Sequence, residues 1–271
     1  MLLNLIYLLS ALVATGLWLL TDALWVWPLG FVGCFLLSLL ICFLIVLYET
    51  KRSDPTIEHT TDDPFIRGIV KLYAPAVFRL LGCKIHVRGA ELMPTEGRFL
   101  LVSNHLQDLD PGVILASFPN AQLAFIAKKE VADMPIIGIL MRRILCQFVN
   151  RENDREALKT ILKCISILKE DRANVAVFPE GRKSTDRYLL HHFRPGVFKM
   201  AQKANVPIVV CTLNGSQNIF PNVKRLRRTH IQLHLVDVIP AEELKGVTTV
   251  DIAARVHAIM AADLGPENAA D

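Results

Sequence analysis

Residues 2–20 are apolar almost without a break, interrupted only by Asn4, Ser10 and Thr15. Thr21-Asp22 and a short aromatic stretch ending in Trp27-Pro28 follow, and a second apolar run covers 29–48. Each run is about 20 residues, the length of one bilayer crossing. Trp18, Trp25, Trp27 and Tyr48 stand near the ends, where interfacial aromatics belong. A cleaved leader fits poorly, because no Lys or Arg precedes the first run and the run is too long. Two helices lying in one leaflet remain the alternative to two crossings. Lys51-Arg52 are the first basic residues of the chain, and by the positive-inside rule this end faces the cytoplasm. The expected organisation is a membrane-anchoring helical hairpin over 1–50, a polar linker over 51–64 and a cytoplasmic domain over 65–271.

Beyond the linker the periodicity changes repeatedly. Helical spacing appears over 65–81, where Arg67, Lys71 and Arg79 are interleaved with apolar positions. That helix either lies at the bilayer interface with its basic residues at headgroup level or packs on the domain core, and Pro75 should kink it. Short apolar or alternating runs at 84–89, 99–103, 123–127, 147–151, 173–178, 207–213 and 230–239 predict strands. Between them, 135–145, 155–169, 196–204 and 249–264 predict helices, the last closed by Gly265-Pro266. Strands alternating with helices predict an α/β fold, with a mixed, largely parallel sheet and flanking helices.

Composition narrows the partners. The chain has 271 residues, 52% of them hydrophobic, with a net charge of +4. That balance suits an anionic membrane surface better than nucleic acid, for which no motif appears. The six cysteines show no C-x-x-C spacing, so neither a metal site nor a disulfide framework is expected, and a reducing compartment fits.

The densest chemistry lies in Val102-Ser103-Asn104-His105-Leu106-Gln107-Asp108-Leu109-Asp110-Pro111. A strand ends at Asn104, and Asp110-Pro111 is a helix-start signal with Asp110 as N-cap. His105 and Asp110 thus flank one tight turn, where a carboxylate can accept the Nδ1 proton of an imidazole and leave Nε2 as a base. Asp108 competes as the partner. Ligands in such sheets gather at the carboxyl ends of strands. There the sequence puts Lys128, Arg151 and Pro179-Glu180-Gly181-Arg182. Arginine offers a planar fork for phosphate and Gly181 allows close backbone approach. Taken singly, Lys128 and Arg151 read as surface charges and Pro-Glu-Gly-Arg as a turn.

Four ordered motifs across residues 65–215 resemble the glycerophospholipid acyltransferases of the 1-acylglycerol-3-phosphate acyltransferase type, the PlsC-like family. They are Asn104-His105-x4-Asp110, Phe148-Val149-Asn150-Arg151, Phe178-Pro179-Glu180-Gly181-Arg182 and Val206-Pro207-Ile208-Val209. Lys128-Lys129-Glu130 also stands at the family's usual place. Two positions depart from the family pattern, Gln107 where serine is common and Asn150 where aspartate is common. The resemblance implies a membrane enzyme that moves a fatty acyl group from acyl-CoA or acyl carrier protein to the hydroxyl of lysophosphatidic acid. It implies His105 as base and Asp110 as its partner. Lys128, Arg151, Glu180, Gly181 and Arg182 would stand at the acceptor phosphate, and Pro207 would shape the pocket wall. No metal or organic cofactor is implied. Alternatives are another lyso-acceptor (glycerol 3-phosphate, a lysophospholipid or an amino-acid lipid) and a non-catalytic membrane lipid-binding module. A hydrolase is disfavoured by the lack of a G-x-S-x-G elbow.

Overall fold

The computed structural model describes residues 2–270 except 22, 24, 53–58, 135, 151 and 152. Helices α1 (Leu2–Thr21) and α2 (Val26–Arg52) pack against each other as a hairpin. Tyr7 stacks on Phe35 with ring centroids 5.1 Å apart, and the Trp27 indole N–H donates to Thr15 Oγ1 at 3.1 Å. Gly30 faces Ala14 closely enough that an added Cβ would stand 3.5 Å from its Cα, so small residues let the two backbones approach. The outer positions, among them Leu8, Leu12, Leu36 and Leu40, are exposed, as a lipid-facing surface would be. Val26–Ile45 is long and apolar enough to cross a membrane, whereas the apolar stretch Ile6–Thr21 is shorter. Residues 53–58 of the expected linker lie outside the described residues.

Helix α3 (Pro64–Leu80) runs through Pro75. Asp63 caps it, accepting from the Phe65 and Ile66 amides at 3.0 and 3.2 Å. Ile66, Ile69 and Phe78 are buried, so this helix packs on the core. Arg67 turns inward instead of reaching for headgroups: it forks onto Asp62 at 2.8 Å and donates to the Leu123 carbonyl at 2.7 Å. The Tyr73 hydroxyl donates to the Leu39 carbonyl, which ties α3 to the hairpin.

The domain is built on seven strands: β1 (Cys83–Arg88), β2 (Leu100–Ser103), β3 (Leu123–Lys128), β4 (Gln147–Val149), β5 (Asn174–Val177), β6 (Ile208–Asn214) and β7 (Thr229–Ile239). They form one sheet in the order β1-β7-β6-β2-β5-β3-β4. Every pairing is parallel except β6 with β7. Central strands are buried on both faces, which explains their continuous apolar runs. Leu100, Val102, Val175, Val177, Ile208 and Val210 point to one face. There α6 (Asp154–Lys169), α7 (Lys199–Ala204) and α9 (Thr249–Leu264) cover them. Leu101, Ala176, Val209 and Cys211 point to the other, under α3, α4 (Asp110–Ser117), α5 (Ile137–Arg143) and α8 (Ile219–Lys224).

Two details depart from the pattern read along the chain. The stretch 196–204 is a 3-10 turn over Pro195–Phe198 followed by α7, which ends at left-handed Asn205. The short α8 gives no periodic signal, because it is one and a half turns long and holds Pro221 in its first turn, where proline is tolerated.

The Asp63 carboxylate both caps α3 and accepts from Arg143 at 2.9 Å. Asp63→Ala should lower unfolding free energy by about 0.5–2 kcal/mol, the range for a lost helix cap. A melting curve in detergent indistinguishable from wild type would show that the cap is not what holds α3.

Candidate active site

Three neighbouring strand ends build the site. β2 delivers Asn104 and His105, β5 delivers Phe178 to Arg182, and β6 delivers Gly215 and Ser216. Asp110 stands at the centre with 0% exposure. Its Oδ2 accepts from His105 Nδ1 at 2.9 Å and from the backbone amides of Leu106 at 2.6 Å and Gln107 at 2.7 Å. Its Oδ1 accepts from the Ser216 hydroxyl at 2.6 Å. An ionised carboxylate taken out of water needs this many donors. Because the carboxylate can only accept, Nδ1 carries the proton and Nε2 is the imidazole's basic nitrogen.

The helix-start expectation is corrected in one respect. Leu109 occupies the cap position of α4 and Asp110 is its first residue. The carboxylate bends back to tie the preceding turn instead of capping its own helix. Asp108 is not the imidazole's partner: it lies exposed and pairs with Lys183 at 2.6 Å.

The turn is held from several sides. Buried Asn104 accepts from the Leu213 amide at 2.7 Å and donates to the carbonyls of Leu213 and Leu189, both at 2.8 Å. Gln107 is buried, and its amide donates to the Ser216 carbonyl at 2.6 Å. The His105 ring stacks on Phe178, centroids 4.2 Å apart and 15° from parallel, and the His105 carbonyl accepts from the Ser184 amide at 2.7 Å. Gly215 is in the left-handed region at φ +92°, and an added Cβ would stand 2.2 Å from the His230 carbonyl oxygen. Glycine there is what lets Ser216 come under Asp110.

Glu180 faces inward. Its Oε1 accepts from the His105 amide at 3.0 Å, while Oε2 is buried with no hydrogen-bond partner among the described residues. Burial pushes its carboxyl up to about 8, with the Asp110 charge adding to the rise; the His105 and His191 amides and the Arg182 charge oppose it. Gly181 has φ +72°, and a Cβ there would stand 2.7 Å from Arg194 Nε. Arg182 and Arg194 are both exposed, so two guanidinium groups flank the glycine turn. Arg194, like Ser216, has a place that no motif spacing marks.

The remaining expected residues are spread wider. Lys128 ends β3, is 57% exposed and pairs with Glu130 at 2.8 Å. Arg151 lies outside the described residues; β4, which precedes it, is separated from β2 by β5 and β3, about 14 Å at ordinary strand spacing. Pro207 precedes β6 and its carbonyl accepts from the Leu100 amide at 3.0 Å. It therefore sits at the opposite end of β2 from His105 and is not brought to this site.

Residues 84–214 match the family model described as Acyltransferase. The chain is 30% identical over 166 residues to a probable 1-acyl-sn-glycerol-3-phosphate acyltransferase of Mycoplasma pneumoniae, covering 58% of this chain and 61% of that protein. It is 26% identical to the 1-acyl-sn-glycerol-3-phosphate acyltransferase of Haemophilus influenzae, over 82% of this chain and 88% of that one. The chain thus spans about three fifths of the Mycoplasma relative's length. Among solved structures, the 1-acyl-sn-glycerophosphate (LPA) acyltransferase PlsC from Thermotoga maritima has the same fold, with a TM-score of 0.63 at 21% identity over 82% of this chain and 87% of that one.

Two outcomes follow from the geometry. Ser216→Ala removes one of four donors from a buried carboxylate and should cost about 1–3 kcal/mol of stability; an unchanged melting curve would mean that water or another group replaces the hydroxyl. Glu180 gives a pH signature. Its folded carboxyl titrates near 8, above the 4.5 of a free glutamate, so the folded state holds a proton that the unfolded chain has lost. Its contribution is therefore full below the unfolded value and is lost as pH rises through about 8. Glu180→Gln should flatten the decline in stability between these limits; equal slopes for the two proteins would show Glu180 to be ionised in the fold.

Proposed function

We propose that this chain, whose residues 84–214 match the Acyltransferase family model, transfers a fatty acyl group from a thioester to the sn-2 hydroxyl of 1-acyl-glycerol 3-phosphate, giving phosphatidic acid. The observation that carries the reading is the buried Asp110 bound to His105 Nδ1 at 2.9 Å. It fixes the tautomer a general base needs. The match to the Acyltransferase model and the curated relatives support the reaction class.

In this reading Nε2 of His105 takes the proton from the acceptor hydroxyl as its oxygen attacks the thioester carbonyl. Asp110 stabilises the imidazolium, as a buried carboxylate does beside a catalytic histidine. The tetrahedral intermediate collapses by breaking the carbon–sulfur bond. The imidazolium returns its proton to the departing thiolate, and an ester and a free thiol result. The thioester, on CoA or acyl carrier protein, is already activated, so the proposed step calls for no metal or organic cofactor.

The acceptor phosphate is proposed to meet Arg182 and Arg194 at the Gly181 turn, with Arg151 and Lys128 supplied from the neighbouring strand ends. Glu180 then acts from behind the turn, holding the His105 backbone through Oε1, which accepts from the His105 amide. The hairpin is proposed to hold the domain on the cytoplasmic side of the cell membrane, as Lys51-Arg52 after the second apolar run implies.

Purified protein in nanodiscs, given radiolabelled lyso-acceptors with each thioester donor, tests the reaction. Phosphatidic acid should form, and His105→Ala should lower turnover by about 10²–10⁴-fold, with Asp110→Asn also severe and Asp108→Asn mild. Binding of lysophosphatidic acid without transfer to any acceptor would instead favour a non-catalytic lipid-binding module. A His105→Ala protein retaining more than about a tenth of the rate would exclude His105 as the base, given that range.

A further inference from the structure

The loop after α8 carries features that neither the sheet nor the active site explains. Leu226 is 96% exposed and adopts a left-handed backbone, φ 52°. A side chain larger than asparagine is uncommon in that conformation, and a wholly exposed leucine gains nothing from it in water. Its neighbours are Lys224, Arg225, Arg227 and Arg228, all exposed. None of the four has an ion-pair partner among the described residues.

This loop does not stand alone. The Thr229 amide donates to the Gly82 carbonyl at 3.1 Å, which sets Leu226 and its arginines beside the end of α3. There Leu80 is 88% exposed. Phe220, on α8, is also exposed. All of these lie on the face of the sheet that α3 and α4 cover, the face to which the hairpin is tied through Tyr73 and Leu39. The patch also adjoins the catalytic turn, since Phe220 follows by four residues the Ser216 that binds Asp110.

We propose that loop 224–228, with Leu80 and Phe220, is a second membrane contact that inserts Leu226 among the headgroups of an anionic phospholipid surface. Apolar side chains ringed by unpaired arginines match such a surface. The leucine gains by leaving water, and the cations meet phosphate at headgroup depth. The contact would fix the domain's rotation about its hairpin, so that the His105 turn opens at the height where an amphiphilic acceptor lies. The idea rests on the membrane-bound reading above, but its test needs no turnover.

The full chain, with Cys34, Cys42 and Cys83 replaced by serine, is reconstituted into bilayers carrying a nitroxide at Leu226→Cys, and separately at Lys203→Cys on α7, which faces away. Bilayers of phosphatidylcholine alone are compared with an equal mixture of phosphatidylcholine and phosphatidylglycerol. The label at 226 should lose collisions with a water-soluble nickel chelate and gain them with oxygen, more so in the anionic mixture, while the label at 203 stays nickel-accessible. Charge reversal, Arg225→Glu with Arg227→Glu, should return the 226 label to water in the anionic bilayer. Equal nickel access at both positions would overturn the proposal. So would shielding of the 226 label from nickel and oxygen alike, which marks a protein contact instead. Acyl transfer measured on the same samples keeps the two questions separate: an active enzyme with a water-exposed 226 label contradicts only the second contact.

Discussion

Everything at the His105 turn depends on keeping one carboxylate charged in a place without water. Asp110 is fully buried, and an isolated ion there would be costly by several kcal/mol. Four donors offset that cost, each hydrogen bond to a charged group contributing roughly 1.5–3 kcal/mol. They come from two directions: two amides and an imidazole from its own turn, and the Ser216 hydroxyl from the end of β6. Satisfying the charge and shaping the turn are therefore one requirement. The geometry that neutralises Asp110 also orients the His105 ring and fixes its tautomer.

The same logic accounts for residues that do no chemistry. Asn104 pins β2 to β6 through both its oxygen and its amide, so the strand ends that supply His105 and Ser216 cannot drift apart. Gln107 uses its length to reach the Ser216 carbonyl, securing the hydroxyl that Asp110 needs. Phe178 gives the imidazole a flat apolar wall, and Glu180 holds its backbone from beneath. The hydrogen-bonded turn is thus braced by β5 on one side and β6 on the other, and the sheet order β6-β2-β5 is what makes this possible.

Much of this was legible along the chain and some was not. The seven strands declared themselves through apolar runs, and His105 with Asp110 through their spacing, because both signals are local. The antiparallel turn of β7 onto β6 was not readable, since nothing local distinguishes a strand's direction. Ser216 stands 106 residues from Asp110, and only the fold brings the two together; Arg194 comes back to the Gly181 turn from outside any motif. Glu180 shows the converse limit. Its motif neighbours suggested a ligand-binding role, but burial turned the side chain inward. Pro207 lies away from the His105 turn for a geometric reason: in a strand parallel to β2, a residue before its start must lie at the far end from a site after β2's end. The interfacial option for α3 lost to the core, because Ile66, Ile69 and Phe78 fill the space above the sheet.

The central claim is that Asp110 holds His105 with its proton on Nδ1 and its basic lone pair on Nε2. Nitrogen NMR of the selectively labelled imidazole, in micelles above the histidine's own titration, reads this directly. The account predicts a protonated, pyrrole-type Nδ1 and an unprotonated, pyridine-type Nε2, an order lost or mixed in Asp110→Asn. A wild-type spectrum with the proton on Nε2, or an equal mixture of the two tautomers, would contradict it.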